Sequence, residues 1–513
     1  MLTSESNRKE GELEPVATPP TAGASRATPR AVAAVLTLLA AVGYSAISLY
    51  RHDHFASNAF DLAVQDQTVW GYSRFEFIYN TVLGIPNLLG DHFHPILVVL
   101  APFMWIWGSA GVLLVGQAVL LAVAGIPIYL WAERELGPFG ALAFQAAYLG
   151  FWGVLAGVVY DFHHVAFAVP AISLALYATL ARRNLLLFPA VAVAMLTRED
   201  VSLTLVALGF YIIVVQRRWI LGAGMMALST AWFAVLLGVV IPALGGGVSY
   251  RHWTYDALGG SPASAASHVV RHPLDSLRLL FAPAAKARVW IGSFLGFAFL
   301  SLASPLLIVA LPSFLERFWS SSPNFWSFHF QYSMLPAPIL AFAAIDTCAR
   351  VRRFWNGRLA VAGTLVLPAA ALVAGALLTL VFVRPLAEIG SYLPAARASE
   401  IQACLDIIPA DAGVAASNTL VPHLSHRAVI YEITLRSEAD YIVVDPSTYP
   451  DFFAGEEEQL RNTVRAALAA GYYVQCAKGT TLVLARVEST QQLTPEQQAW
   501  LAGKCSGRGC STP

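Results

Sequence analysis

The chain has 513 residues, of which 57% are hydrophobic and only 12% are charged, and its formal net charge is zero. A soluble domain carries about 25% charged residues, so this composition predicts a multi-pass protein of the plasma membrane and excludes an ordinary soluble enzyme. A balanced charge offers no basic surface to nucleic acid, and we expect no such partner. The sequence contains no Walker motif, glycine-rich dinucleotide turn or CxxC pair, so ATP-driven transport and redox chemistry have no support in it.

The amino-terminal segment differs from the rest of the chain. Residues 1–30 are polar and rich in Pro, Ser, Thr and Glu, which predicts a disordered cytoplasmic tail. The first apolar run, residues 31–50, is long enough for roughly 30 Å of hydrocarbon. Its length and the long tail before it predict a retained membrane anchor and not a cleaved signal peptide.

Arginines beside the later apolar runs orient the remaining spans, since cytoplasmic loops are enriched in Lys and Arg. Placing Arg134 and the arginines at 182–183, 217–218 and 350–358 in the cytoplasm predicts about 11 spans within residues 31–384. The amino terminus then lies in the cytoplasm and the carboxyl terminus outside.

This topology defines two outer loops, 51–109 and 247–288. Within the first loop, the apolar piece 96–107 is too short to span and predicts a re-entrant or interfacial helix. The uncharged stretch 289–315 must hold two spans, kinked near SLASP, because an odd number of crossings separates the outer second loop from the cytoplasmic arginines at 350–358 and residues 333–349 supply one of them.

The carboxyl-terminal part has a different pattern. Residues 385–490 indicate, in order, three strands, a helix and a hairpin, and therefore an extracytoplasmic α/β domain, with a carboxyl-terminal tail at 491–513. Four of the five cysteines lie here, at positions 404, 476, 505 and 510. An even number in an outer domain allows two disulfides with three possible pairings, and unpaired buried thiols are the alternative.

Polar residues gather at the outer ends of the predicted spans, in five separate segments. Ionisable residues at membrane depth are energetically costly and usually mark a function or pair with one another. The candidate site residues are Asp61, Asp66, Asp91, His92, His94, Asp161, His163, His164, Arg198, Glu199, Asp200, His329 and Tyr332.

The two aspartates of the first outer loop, Asp61 and Asp66, are five positions apart, so on a helix they lie on different faces and cannot form an adjacent dyad. One of them is the candidate general base and the other a structural acceptor or a cap. The alternative is that both are solvated loop carboxylates.

The histidine-containing segments have two interpretations each. Asp91, His92 and His94 offer ligands for a divalent ion, most simply through Asp91 and His94, although His94 before Pro95 is also suited to capping the next helix. Asp161 and the two histidines that follow it in YDFHH either serve a reaction or bond among themselves.

A charged triplet, Arg198–Glu199–Asp200, occupies the tip of another hairpin. An arginine there can clamp a phosphate through two parallel hydrogen bonds while the carboxylates orient it. The alternative is a self-neutralising salt bridge. His329 and Tyr332 are either ligand donors or interface anchors.

Six motifs in order between residues 55 and 487 carry a family resemblance: FDLAVQDQTVW, LGDHFHPILVVLAPF, YDFHHVAFAVP, TREDVSL, HFQYSMLPAPIL and IPADAGVAASNTLVPHLSHRAVIYEI. They resemble the bacterial and archaeal membrane family catalogued as domain of unknown function 2079. The architecture of that family is similar to that of the GT-C glycosyltransferases, which use a polyprenyl-phosphate-linked sugar and work on the extracytoplasmic side.

The resemblance implies an inverting integral membrane glycosyltransferase. In GT-C enzymes the first outer loop carries the catalytic acidic residue, which matches Asp61, with Asp66 second, and Arg198 matches the basic residue that holds the lipid phosphate. The implied partners are a polyprenyl-phosphate sugar, membrane lipid and an envelope glycan or glycolipid acceptor. No soluble cofactor is required, and a divalent cation is optional. Aromatic residues expected to frame the sugar and the interface are Trp70, Tyr72, Trp105, Trp107 and Trp326.

A non-enzyme is the main alternative, either a carrier or an envelope protein that binds a lipid headgroup. A secondary transporter often has an internal repeat with broken helices near the bilayer midplane. This chain has no such repeat, and its polar residues collect on one face, which favours the enzyme. A sensor would need a cytoplasmic signalling module, for which the tail 1–30 is too short.

Overall fold

The computed structural model describes residues 27–247, 251–354, 358–382, 392–448 and 457–506. Five helices in this part are long and apolar enough to cross a membrane: Ala27–Asp53, Gly111–Val159, Trp219–Leu244, Gln331–Phe354 and Ala362–Val381. Four shorter apolar helices accompany them, Pro95–Met104, His164–Leu180, Asn184–Met195 and Val201–Val214. The predicted multi-pass helical membrane protein is confirmed, and the count of eleven spans stays a prediction.

Most of the predicted disordered tail (its residues 1–26), the boundary between the two domains and the last seven residues lie outside the described residues. The α-helices before the carboxyl-terminal domain are α1 Ala27–Asp53, α2 Val64–Ser73, α3 Ala101–Met104, α4 Gly111–Val123, α5 Gly125–Leu149, α6 Trp152–Val159, α7 Ala168–Leu180, α8 Asn184–Met195, α9 Val201–Val214, α10 Trp219–Val235, α11 Ile241–Leu244, α12 Pro262–Arg271, α13 Pro273–Leu279, α14 Ala284–Leu295, α15 Leu311–Trp319, α16 Pro336–Phe354, α17 Arg358–Val361 and α18 Leu367–Phe382. Three π-helical turns, Ala59–Ala63, Leu236–Val240 and Ala362–Val366, adjoin α2, α10 and α18.

The long apolar run from Gly111 to Val159 is broken close to Arg134, where the sequence predicts a cytoplasmic turn. Gly137 has a φ of 84°, outside the helical region, and Pro138 follows it. Only a residue without a Cβ adopts this φ at low cost, and the proline lacks the amide that would continue the helix. The break therefore has a local cause.

The stretch 289–315, which the sequence predicts to hold two kinked spans, consists of short helical segments. After α14 the chain forms two short 3₁₀ segments, Leu300–Ala303 and Pro305–Ala310, before α15 begins. Two prolines, Pro305 and Pro312, remove amide donors here, and the chain folds as short packed pieces. The apolar face of α15 is buried through Phe314 and Phe318.

The carboxyl-terminal part forms the predicted α/β domain. Its helices are α19 Ala395–Leu405, α20 Glu457–Ala469 and α21 Pro495–Leu501, and its strands are β1 Val414–Ala416, β2 Ile430–Glu432, β3 Tyr441–Val444, β4 Tyr473–Lys478 and β5 Thr481–Ala485. The sheet order is β2-β1-β3-β5-β4. Strand β1 pairs in parallel with β2 and β3, whereas β5 pairs antiparallel with β3 and β4.

The two faces of this sheet have different partners, because successive strand residues point to opposite sides. Ala415 and Ile442 pack on the face covered by helices α20 and α21. Val414 and Val443 face the other way and share a core with α19 and with Ala59 of the first outer loop. The domain is therefore docked on that loop through buried apolar contacts.

The segment predicted as a carboxyl-terminal tail adds to this domain. Thr494 and Gln497 form a capping box at the start of α21, and Trp500 is 2% exposed. A disulfide joins Cys404 of α19 to Cys476 of β4. Cys505 is also disulfide-bonded.

Candidate functional site

Asp61 lies where the chain turns after α1, in the π-helical turn Ala59–Ala63. Its Oδ2 accepts a hydrogen bond from the hydroxyl of Tyr160 at 2.8 Å, and its Oδ1 lies 2.9 Å from Nε2 of His163. The Asp61 side chain is still 25% exposed. This carboxylate is thus oriented by two neighbours and remains accessible to a ligand.

The protonation of this group follows from its neighbours. Burial raises the pKa of the Asp61 carboxyl, but His163 and Tyr160 outweigh burial, so the pKa lies below its usual range. Nδ1 of His163 lies 3.2 Å from the carbonyl oxygen of Asp161. Both ring nitrogens of His163 therefore lie close to oxygen atoms, which fixes the orientation of the ring.

Asp161 supports this site from behind. It is fully buried and accepts hydrogen bonds from the backbone amide and the side-chain amide of Asn58, at 2.7 and 2.8 Å. Burial raises the pKa of Asp161 to about 6, against the partial compensation of Arg51. Asp161 holds the loop that presents Asp61, and His164 beside it is buried against Gln65 at 3.2 Å.

The structure separates Asp66 from Asp61. Asp66 is fully buried, and its Oδ2 accepts from Ser425 Oγ and lies 2.9 Å from Nε2 of His426, both in the carboxyl-terminal domain. The two aspartates face different surroundings, as their spacing predicted. Of the two aspartates, Asp61 is the one with a partly exposed side chain.

A histidine cluster lies at the end of the first outer loop. Nε2 of His252 lies 3.0 Å from Oδ1 of Asp91, and the His92 and His252 rings stack at 4.0 Å. Ligand atoms of Asp91, His92 and His252 lie within 4.8 Å of one another, close enough to hold one metal ion. Nδ1 of His92 is 2.6 Å from Glu199, which would orient the ring as a ligand.

His94 does not belong to this cluster of described residues. It is buried, and its ring packs 4.4 Å from that of His164. His252, from the second outer loop, occupies the place that the sequence assigned to His94. A histidine about 160 positions away in the chain cannot be matched to Asp91 by spacing.

Arg198 forms the salt bridge that the sequence left open as the alternative to a phosphate clamp. Its guanidinium donates two hydrogen bonds to Asp200 and lies 3.6 Å from Glu316. Glu199 points away, toward His92. Arg198 therefore already has a counter-ion in Asp200.

Arg317 is the functional candidate that the sequence analysis missed. It is 2% exposed and donates to the backbone oxygens of Phe325 and Ser327 and to Ser333 Oγ. Among the described residues no carboxylate forms an ion pair with it, and burial lowers its pKa to about 9. Arg317 lines a small cavity together with Arg198 and Tyr332. Its signal in the sequence was a charged residue inside the apolar helix FLERFW.

The segment 320–333 links this cavity to Asp61. Phe330 packs edge-on against Tyr160 at 4.8 Å, and Tyr332 interacts electrostatically with both Asp61 and Arg198. The other side of the segment lines an open, largely apolar groove of about 530 Å³ between α14 and α18, through Trp326, Phe328 and His329. The structure thus places His329 in the groove and Tyr332 at the cavity.

The other predicted aromatics lie elsewhere. Trp105 and Trp107 are 62% and 44% exposed on the short helical segment of the first outer loop, and Tyr72 packs on Phe77. Trp70 lies beside Arg74, 5.0 Å from its guanidinium carbon. Only Trp326 of the five lines the groove.

These features together define a helical membrane protein with a carboxylate site directly after its first apolar helix. Residues 51–484 match the model of the predicted membrane protein family DUF2079, and the chain belongs to that family. Comparison with curated protein sequences finds no match.

Solved structures support the fold. ArnT from Cupriavidus metallidurans bound to undecaprenyl phosphate is similar at a TM-score of 0.55 and 15% identity, covering 90% of this chain and 99% of that one. The apo state of the same protein is similar at a TM-score of 0.52 and 15% identity, covering 89% of this chain and 98% of that one. The archaeal oligosaccharyltransferase AglB from Archaeoglobus fulgidus, in complex with an inhibitory peptide and a dolichol-phosphate, gives 0.37 at 12% identity, covering 89% and 75%. The GT-C-like architecture implied by the sequence is confirmed.

Proposed function

We propose that this protein is an inverting membrane glycosyltransferase that moves a sugar from a polyprenyl phosphate to an extracytoplasmic envelope acceptor. The observation that carries the proposal is the oriented, ionised and partly exposed Asp61 carboxylate between His163 and Tyr160. The match to a structure of ArnT with undecaprenyl phosphate supports the donor class.

The proposed reaction forms one bond and breaks one bond at the anomeric carbon of the donor sugar, and it transfers one proton to Asp61. The acceptor hydroxyl oxygen attacks the anomeric carbon of the donor sugar, and the bond from that carbon to the phosphate oxygen breaks. Asp61 takes the hydroxyl proton. The products are a glycosylated acceptor with inverted configuration and free polyprenyl phosphate.

The leaving phosphate needs a cation, since negative charge develops on it in the transition state. Arg198 is already compensated by Asp200 and Glu316. Arg317 lines the same cavity, as does Glu316, but no described carboxylate forms an ion pair with Arg317, so we assign the main phosphate contact to Arg317 and a supporting one to Arg198. A buried cation without a counter-ion is stabilised by an anionic ligand more than a paired one is.

The apolar groove beside the segment 320–333 suits the lipid part of the donor. Its lining includes Ile291, Leu295 and Leu378, and Arg288 is its charged residue. A polyprenyl chain in this groove would keep its apolar surface out of water while its phosphate approaches Arg317. The groove therefore serves as the lateral entrance from the bilayer.

The active side is proposed to be extracytoplasmic. The disulfide between Cys404 and Cys476 fits an oxidising compartment, and the domain that carries it packs on the loop of Asp61. A divalent cation at Asp91, His92 and His252 remains an optional addition that no step above requires.

The test is transfer in proteoliposomes supplied with a panel of undecaprenyl-phosphate sugars and an envelope glycolipid fraction. Asp61→Asn should insert normally and lose transfer by about 10²–10⁴-fold, the usual contribution of a general base. Asp53→Asn, the same change at an exposed position shortly before it, is the matched control and should keep full activity. Full transfer in Asp61→Asn refutes the base, and saturable donor binding without any transfer in the natural protein favours the carrier or headgroup-binding protein.

A further inference from the structure

A second polar cavity lies between the first outer loop and the carboxyl-terminal domain. Its volume is about 370 Å³, within the range of about 300–1,000 Å³ typical of small-molecule sites. The residues of its lining that matter here are Asp66, Gln402, Asp406, His423, His426 and Arg427. None of the groups assigned above to the reaction belongs to this lining.

Two residues of the cavity lining carry buried polar atoms that the protein leaves unsatisfied. Asp66 is fully buried, and while its Oδ2 is bonded by Ser425, its Oδ1 has no hydrogen-bond donor. Nε2 of His423 is also buried without a partner, and the His423 ring stacks on His52 at 4.2 Å. A buried carboxylate oxygen left without a donor costs free energy, which a ligand donor would recover.

The charges around the cavity select a neutral ligand. Asp66 and Asp406 would repel an anion, while Arg427 and His426 would repel a cation. The facing Asp66 carboxylate outweighs the effect of burial and holds the pKa of His426 above its usual range. The Arg427 guanidinium donates hydrogen bonds to the backbone oxygens of Leu424 and Ala412, which hold its positive charge at the wall of the cavity.

A hydroxyl is the group that matches these atoms, since it donates to Asp66 Oδ1 and also accepts or donates at His423 Nε2. A saccharide is a small neutral molecule that carries several hydroxyls, so it fits this description. We propose that this cavity binds a sugar unit of a glycan, and, resting on the function proposed above, that this glycan is the acceptor. Asp61 and Asp66 lie on different faces of one short helical segment, roughly 8 Å apart along its axis. The cavity therefore holds a part of the acceptor remote from the reacting hydroxyl.

Binding is measured on the full chain in lipid nanodiscs, without donor, by saturation-transfer NMR titration. The probes are the methyl glycosides of glucose, galactose, mannose and N-acetylglucosamine, with inorganic phosphate as the anionic comparison. At least one glycoside should bind saturably. Gln402→Trp, which places an indole in the cavity, should weaken that binding at least tenfold. Ser399→Trp, the same change on an exposed part of α19, is the matched control and should bind like the natural protein.

Asp66→Asn is a second test variant. It keeps the shape of the side chain but can place an amide donor where the unsatisfied Oδ1 of Asp66 accepts. It should weaken glycoside binding at least tenfold if it folds, and Gln402→Trp decides the matter if it does not. The proposal is overturned if no glycoside binds, if Gln402→Trp leaves binding unchanged, or if phosphate is the ligand that Gln402→Trp displaces.

The catalytic proposal is judged separately. Asp61→Asn should bind the glycoside normally although it lacks transfer. Glycoside binding lost only in the cavity variants, together with full transfer in Asp61→Asn, leaves the sugar site standing and removes the assigned base. The reverse pattern removes the sugar site alone.

Discussion

Asp61 and Asp66 share one short segment of chain but have opposite surroundings. Asp61 keeps a quarter of its side chain exposed and is held by His163 and Tyr160, which lie beyond the fourth to sixth helices. Asp66 is fully buried under the carboxyl-terminal domain, bonded to Ser425 and close to His426. The same side chain is thus a candidate base in one place and an anchor in the other, and the covering element makes the difference.

A similar contrast separates Arg198 from Arg317. The first is an exposed-loop arginine in the sequence but is neutralised by carboxylates in the structure. The second lies in an apolar helix and has only neutral hydrogen-bond acceptors. Charge in the sequence therefore says little about charge available to a ligand.

The largest expected effect concerns stability. Asp66→Ala leaves the Ser425 hydroxyl and the His426 imidazole without their partner at a buried junction, which should cost about 3–5 kcal/mol of unfolding free energy. Asp61→Ala, at a partly exposed site, should cost about 1 kcal/mol or less. Thermal unfolding followed by tryptophan fluorescence compares the two variants, and equal losses would contradict the contrast drawn between these aspartates.

The next effect separates the two arginines. Arg317→Gln removes the uncompensated cation and should lower transfer by about 10²–10³-fold. Arg198→Gln should lower it less than tenfold, because Arg198 already spends its charge on Asp200 and Glu316. Steady-state transfer at several donor concentrations measures both variants. A larger loss of transfer in Arg198→Gln than in Arg317→Gln would show that Arg198, the residue suggested by the sequence, makes the main phosphate contact.

The smallest expected effect concerns the pH dependence of activity, which reports the ionisation of Asp61. Asp61 must be ionised to accept a proton, so activity is present above its pKa and falls as the pH drops through it. The Tyr160 hydroxyl helps to lower this pKa. Tyr160→Phe should raise the pKa and move the acid limb of the rate profile upward by roughly one pH unit. An unchanged acid limb would show that another group controls it.

Family, membrane class and the carboxyl-terminal domain were predictable, because each depends on patterns that are local in the chain. The apolar runs, the alternation in the strands and the six ordered motifs were enough for the helical membrane fold and the sheet. The interpretation of 289–315 as two spans stays a prediction, and the structure shows short helical segments there with a break in the stretch SLASP. Its prolines produce short 3₁₀ pieces, which a count of apolar residues does not detect.

The site was only partly predictable. Spacing showed that Asp61 and Asp66 face apart, but it could not identify which one the distant domain covers. Spacing also could not predict that Asp91 lies beside His252, or that Arg317 has no carboxylate partner among the described residues. Both relations depend on segments that are separated by loops of no fixed length.

What the sequence by itself determined is the class of protein, because hydropathy and periodicity act along the chain. What only the tertiary structure decided is the environment of each candidate side chain. Burial, hydrogen bonding and charge compensation depend on contacts between distant segments. These contacts make Asp61 an accessible carboxylate, make Asp66 the buried wall of a second cavity, and leave Arg317 as the uncompensated cation.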